Sequence, residues 1–529
     1  MLLDRPIDTG ISEVRPAARR AVRVARYAPG ICALIALALH LGANAHYGFF
    51  RDELYFIICG RHPDFGYVDQ PPITPLLAAF SQTWGLSLFA LRAIPAVFAA
   101  LGTYVTALLV VELGGGLFAI VVACSVVIVS PQLMAFGSRF SPDTIQMATW
   151  PLIALIVLRI TKGASPRLWI LAGVLLAFSA YAKYTVAFFA ASLVAAMWLT
   201  QQRRALQSAW FVCGALLSVA LLIPNIVWQW HYHFPMLQLL HNDYGKFLLT
   251  WPPFPFQQIM VMSPLLSIVW LIGLGWLLYQ PRTRFLGIAY VFLIAIMWAL
   301  NAKSYYPAAV YPILIAAGAV PIERWTGLRR AWRIAIVAVI AAFAIPSTPF
   351  VLPVLPLQTF IAYQQVAGSL FHIRFHTEND ASNAIPIQYY AEMTGWQAMT
   401  RSVAQVYRSL PPAQRAHAAI YAHNFGEAAA IDLYGGAYGL PPALSGNNNY
   451  WIWGPRGFSG ETVVDLNGPE LMSSGVYRSV HRAAVYASPD AMPYENNLPI
   501  WVLTNPSVPR PLQQLWPSLR NYSYAFKGL

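Results

Sequence analysis

The ionisable residues of this chain gather in a few places where they could do acid–base or phosphate chemistry. "HYGFFRDELYFIICGRHPDFGYVDQPPITP" (46–75) holds Arg51, Asp52, Glu53, Arg61, Asp64 and Asp69. "GSRFSPDTIQ" (137–146) adds Arg139 and Asp143, and "SAYAKYTVAF" (179–188) adds Lys183. "WQWHYHFPMLQLLHNDYGKFLLTWPPFPF" (228–256) supplies His231, His233, His241, Asp243 and Lys246, and "ALNAKSYYPAAVYP" (299–312) supplies Lys303, Tyr305 and Tyr306. A carboxylate within hydrogen-bond reach of a hydroxyl can act as general base. Fixed Lys or Arg charge, or a metal ion, can stabilise a departing phosphate.

The elements that must position these residues are greasy. Of the 529 residues 57% are hydrophobic and only 10% charged, with a mean hydropathy of +0.51. A soluble domain is roughly 45–50% apolar and 25% charged, so the composition predicts a membrane protein. The net charge of +13 comes from basic residues in short runs between apolar stretches, as membrane orientation requires, and not from a nucleic-acid footprint. Cys32, Cys59, Cys124 and Cys213 form neither a disulfide framework nor a CxxC metal pair.

Apolar stretches of about 20 residues are the unit of a spanning helix. They fall near 29–46, 86–111, 116–136, 144–160, 168–183, 184–200, 208–228, 259–279, 284–301, 304–320 and 331–350, which predicts about eleven spans. With a basic N-terminus (1–28) inside, Arg159/Lys162/Arg167, Arg203/Arg204, Arg282/Arg284 and Arg324/Arg329/Arg330/Arg333 all fall on the inner face, consistent with the positive-inside tendency. The acid-rich stretch then lies in a first outside loop (47–85), and the other chemistry-bearing residues share its side. Ionisable residues at span ends read by default as a functional site. Plainer readings exist: Asp52-Glu53 as a solvated pair, Asp143 as a helix cap, Lys183 and Lys303 as snorkelling cations, the histidines as interfacial residues.

After Phe350 the polarity becomes mixed, predicting a soluble domain over 351–529. "GWQAMTRSVAQVYRSL" (395–410) reads as an amphipathic helix, "HAAIYAHNF" (417–425) as a buried strand, "GEAAAIDLYG" (426–435) as a helix and "LPIWVLTN" (498–505) as a late strand. Such alternation predicts a small α/β domain. In it, "HNFGEAAA" could offer a helix N-terminus to an anion, and Tyr450, Trp451 and Trp453 of "SGNNNYWIWGP" could stack on a sugar or pack as a turn.

Three motifs carry a resemblance. "RDELYF" (51–56) looks like an acidic pair opening an interfacial helix, "YVDQPPITP" (67–75) like an aromatic-x-acidic-x-Pro-Pro stretch, and "SRFSPDTIQ" (138–146) like a second acidic site. Over about its first 350 residues the chain resembles the polyprenyl-phosphate-sugar-dependent glycosyltransferases of the C-type fold. That group includes protein O-mannosyltransferases, aminoarabinose transferases acting on lipid A and rhizobial galacturonosyltransferases acting on the lipid A core. The resemblance implies a mostly α polytopic fold, a polyprenyl-phosphate-sugar donor, and a lipid, glycan or protein acceptor. The site would be on the outer face of a bacterial inner membrane, with no part for nucleic acid. It implies inversion with Asp52 as general base, Glu53 as helper, and Asp69 and Asp143 as further site residues. Relatives such as the aminoarabinose transferases place a lysine where this chain has Gln70, so the donor phosphate falls to Arg51, Arg139, Lys183, Lys303 and Tyr305, or to a divalent metal ion held by Asp52, Asp69 and His231. A transporter or flippase for a lipid-linked glycan, or a non-catalytic envelope assembly partner, is the alternative. A transporter should carry charge at mid-span and show repeated halves, whereas here the charges sit at span ends.

Overall fold

A computed structural model describes residues 16–244, 252–372 and 387–524, with side chains in the first segment from Arg26 onward. Lys246, the side chains of the basic residues before Arg26 and the end of the chain after Tyr524 lie outside what is described.

Each expected span contains a helix, in the order Pro16–Ala43, Leu88–Glu112, Leu117–Val129 with Pro131–Ser138, Asp143–Thr161, Leu168–Ala180, Val186–Trp198, Ala209–His231, Phe254–Val261 with Pro264–Tyr279, Arg284–Ala299, Tyr311–Thr326 and Arg330–Ser347. Among the described residues five helices are long and apolar enough to cross a membrane, or seven if each bent pair is one span. The remaining segments are shorter. Leu168–Ala180 and Val186–Trp198 have 13 residues each, about 20 Å of helix against a hydrocarbon layer of about 30 Å.

Two stretches expected as straight spans are broken. The Leu117–Val129 and Pro131–Ser138 helices meet at 66°, and Phe254–Val261 and Pro264–Tyr279 at 117°. Pro131 and Pro264 each open the second helix of their pair, where a missing N–H costs nothing but the preceding turn cannot continue. Ser263, before Pro264, takes a φ of 72° to make the sharper corner. Elsewhere helices pack closely: a Cβ on Gly273 would lie 1.9 Å from the Leu314 carbonyl oxygen. Only glycine allows this approach of two backbones.

The bundle has two distinct ends. At one, Glu112 pairs with Arg159 and Lys162, both at 3.1 Å, and Glu323 accepts the Phe118 amide at 3.0 Å. At the other, the Arg51–Arg61 and Ile73–Ser81 helices of the first loop pack beneath the C-terminal domain.

That domain is α/β, as its polarity pattern predicted. Strands β1 (Ala419–Ala422), β2 (Ala443–Leu444), β3 (Val463–Leu466), β4 (Tyr477–Tyr486) and β5 (Leu498–Pro506) form one sheet in the order β2-β1-β3-β5-β4. β1 runs parallel to β2 and β3, and β5 antiparallel to β3 and β4. The Trp396–Ser409 and Phe425–Tyr434 helices flank it. The domain does not close its core alone: Leu54, Tyr55 and Ile58 of the first loop share one apolar cluster with Val403, Ile420, Phe425 and Ile500. Asn449 accepts the Val68 amide at 2.7 Å across this junction.

Two open readings inside the domain resolve toward packing. The Phe425–Tyr434 helix offers no open anion site, because Asn424 Oδ1 accepts from Gly426 and Glu427 at 2.9 and 3.0 Å and Asn447 Oδ1 accepts from Phe425 at 3.1 Å. Tyr450 is buried with its hydroxyl on Asp432 at 2.9 Å, and Trp453 stacks on His62 at 4.4 Å. These aromatics pack the domain onto the first loop.

Candidate functional site

The Arg51–Arg61 helix begins at the edge of the first loop, and Phe50 before it is extended and gives no side-chain cap. Its first turn therefore relies on acidic residues, which suit a helix N-terminus. Asp52 points outward with its side chain 37% exposed. Glu53 points inward and is fully buried, bonded to the Arg92 guanidinium at 2.9 Å. It also accepts the Phe50 amide at 2.9 Å and the Phe140 amide at 2.9 Å. The acidic pair thus divides: one carboxylate faces the site and the other is filled by structural donors. The expected catalytic part for Glu53 gives way to a positioning one, since a carboxylate whose oxygens are all engaged away from solvent has no room for an acceptor proton.

Arg92 had no place in the sequence reading. Its signal was present, a lone arginine inside "LFALRAIPAVF", because a charge inside an apolar span needs a partner. It also donates to the carbonyls of His46 and Gly48 at 3.2 and 2.9 Å, pinning the start of the loop.

Asp69 lies in the same loop, within electrostatic reach of Asp52. Tyr55 donates to its Oδ1 at 3.2 Å, and Tyr524 donates to its carbonyl oxygen at 3.2 Å. Burial pushes the Asp69 carboxyl up to about 7, with the charge of Asp52 adding to the shift and hydrogen bonds from its own amide and Tyr55 opposing it. Gln70 is buried at 1% exposure beside the Cys59 thiol, in the loop interior.

The second acidic loop brings the cations. Asp143 opens its helix without capping it, and both of its oxygens lie 2.8 Å from Lys183 Nζ. Lys183 does not snorkel: its ammonium also sits 4.0 Å from the Tyr306 ring and 5.2 Å from the Tyr305 ring. Lys303 and Arg139 both act electrostatically on Lys183, and Lys303 Nζ lies 5.6 Å from the Tyr524 ring. The Arg139 guanidinium rests over Phe50 at 4.2 Å and Tyr389 at 5.1 Å, within electrostatic reach of Asp52 and Tyr305. Asp52, Asp69, Arg139, Asp143, Lys183, Lys303 and Tyr305 therefore converge from four separate segments.

Of the other expected residues, Arg51 borders this group, its Nε 3.5 Å from Asp52 Oδ1, and its Nη1 donates to the Tyr494 hydroxyl of the C-terminal domain at 2.9 Å. The histidines do not join it. His231 is exposed at the end of its helix, its ring 4.8 Å from Tyr232. Among the described residues no three His, Cys, Asp or Glu side chains are grouped to hold a metal ion, so the ligand set Asp52, Asp69 and His231 is not assembled. His233 and His241 line a separate cavity of about 710 Å³ with Arg520 and Tyr522. Asp243 accepts the Tyr524 amide at 2.8 Å and the Ser523 hydroxyl.

The architecture superposes on ArnT from Cupriavidus metallidurans bound to undecaprenyl phosphate with a TM-score of 0.58 at 13% identity, covering 90% of this chain and 98% of that one. This chain has the C-type glycosyltransferase fold. The apo state of the same C-type protein gives a TM-score of 0.56 at 13% identity, covering 93% of this chain and 100% of that one. Within the fold, the sequence model of the dolichyl-phosphate-mannose-protein mannosyltransferase family matches residues 69–228. That stretch contains Asp69, Arg139, Asp143 and Lys183; Asp52 and Lys303 lie on either side. No curated protein sequence matches the chain.

Tyr389 and Tyr524 were also missed by sequence reasoning. Each lies far along the chain from the residues it touches, and nothing local distinguishes either from the many other tyrosines.

Proposed function

We propose that the chain is an integral membrane glycosyltransferase. It moves a sugar from a polyprenyl-phosphate donor to an envelope acceptor, whether lipid A, another glycan or a protein, on the outer face of the bacterial inner membrane. The observation that carries this reading is the placing of one exposed carboxylate, Asp52, at the same end of the bundle as Arg139, Lys183 and Lys303. The fold shared with a protein solved with undecaprenyl phosphate supports the donor class.

The chemistry follows from this division of charge. Asp52 takes the proton of the acceptor hydroxyl as that oxygen bonds to the anomeric carbon. The bond from that carbon to the phosphate oxygen breaks, and its electron pair leaves on polyprenyl phosphate. Attack opposite the leaving group inverts the anomeric centre. Arg139, Lys183 and Lys303 stabilise the charge that develops on phosphate, an electrostatic contribution. Tyr305 and Tyr306 keep the Lys183 ammonium in place through their ring faces. The basic clusters at the far end of the bundle support an N-terminus inside and the C-terminal domain outside.

The test supplies purified protein with a panel of polyprenyl-phosphate sugars and an envelope extract. Release of polyprenyl phosphate from one donor, with the sugar recovered on an extract component, is expected. A protein that binds donors and releases none of them would not be a transferase.

A further inference from the structure

Resting on the transferase reading, we propose that Arg51 is a positioning residue through which the C-terminal domain holds the Asp52 carboxylate, with Tyr494 and Glu392 as its seat. Its main-chain amide donates to the Glu392 carbonyl at 3.1 Å. Its Nη1 donates to the Tyr494 hydroxyl at 2.9 Å, and that hydroxyl donates to Glu392 Oε1 at 3.0 Å. The guanidinium lies 5.1 Å from the Phe425 ring centroid. Its stem runs so close to the next residue that a Cβ on Gly426 would come within 2.4 Å of Arg51 Cγ.

Three separate segments of the C-terminal domain thus close around one side chain of the first loop. Burial works against the charge of Arg51, and Glu392, Tyr494, Asp52 and Glu495 together more than offset it. The guanidinium Nε stands 3.5 Å from Asp52 Oδ1. At that distance the contact is a weak hydrogen bond, but it sets a fixed positive charge beside the exposed carboxylate. A planar guanidinium held at one edge presents its other edge in a defined direction, which a flexible ammonium does not. Arg51, Tyr494 and Glu392 touch no reacting atom on this account. They act by fixing where the Asp52 oxygens stand.

The experiment uses the full chain in lipid nanodiscs with the donor that wild type turns over. Tyr494→Phe and Glu392→Gln are each expected to lower kcat by roughly tenfold with donor and acceptor KM unchanged, a loss of reaction geometry and not of binding. Arg51→Lys should recover part of the activity that Arg51→Ala loses. Because the effect runs through Asp52, Tyr494→Phe in an Asp52→Asn background should cost nothing more, a non-additivity expected only of coupled residues. Melting temperatures identify a variant that merely unfolds, and Glu392→Gln then carries the test in place of Tyr494→Phe. Wild-type kcat in both variants, or an unchanged further loss in the Asp52→Asn background, would overturn the inference while leaving the transferase intact. Absence of transfer by wild type from any donor would overturn the transferase reading and this inference with it.

Discussion

The Glu53 carboxylate and the Arg92 guanidinium meet at 2.9 Å with side-chain exposures of 0% and 1%. The same carboxylate accepts the Phe140 amide at 2.9 Å. One buried ion pair therefore ties the first-loop helix to the loop that carries Arg139 and Asp143. Its partners are spread over three segments, so both halves of the candidate site take their position from it.

Removing one member of that pair strands the other in the core. Glu53→Gln or Arg92→Met is expected to destabilise the protein by about 3–5 kcal/mol, read as a fall in thermal midpoint in detergent. The double variant should recover part of the loss, because no uncompensated charge is left. A single variant melting like wild type would show that the pair is not the anchor described here.

Lys183 and Lys303 are expected to hold donor phosphate. Lys183→Met or Lys303→Met should weaken binding of undecaprenyl phosphate by about tenfold each, in keeping with the loss of one charged hydrogen-bond partner. Competition against a labelled polyprenyl phosphate measures this directly. Unchanged binding in both variants would place the phosphate elsewhere.

Asp69 supplies a pH dependence. Its folded carboxyl is pushed up to about 7, above the ordinary value near 3.9, so the native state holds a proton that the unfolded chain has lost. The folded protein is then favoured while Asp69 is neutral. That advantage erodes as pH rises from about 4 and is gone above about 7. Asp69→Asn mimics the neutral form and keeps an acceptor for the Tyr55 hydroxyl. Its thermal midpoint should exceed wild type more at pH 8 than at pH 5. An equal difference at both values would contradict the assignment.

Much of this arrangement was legible along the chain. Hydropathy located the helices of the bundle, and alternation of polarity found the helices and strands around Trp396–Ser409, Ala419–Ala422 and Leu498–Pro506. Those signals are local, set by which side chains leave water. The acid-rich first loop was legible for the same reason, since charge is rare in such a chain. What was not legible depends on partners distant in sequence. Nothing beside Glu53 says that its carboxylate belongs to Arg92, 39 residues on, whereas Asp52 one residue earlier stays open. Nothing beside Val68 points to Asn449, 381 residues away. The broken spans at Pro131 and Pro264 fall between, because proline at a helix start is compatible with both a straight continuation from a loop and a sharp corner.

The proposed transfer rests on removal of the acceptor proton by Asp52. It is tested most directly by single-turnover release of polyprenyl phosphate from a bound donor in the presence of acceptor, comparing wild type with Asp52→Asn. The asparagine is nearly the same size, cannot take the proton, and leaves Arg139, Lys183 and Lys303 in place to bind donor. Donor binding close to wild type and a release rate lower by about 10²–10⁴-fold are expected. Release at the wild-type rate from fully bound donor would contradict it.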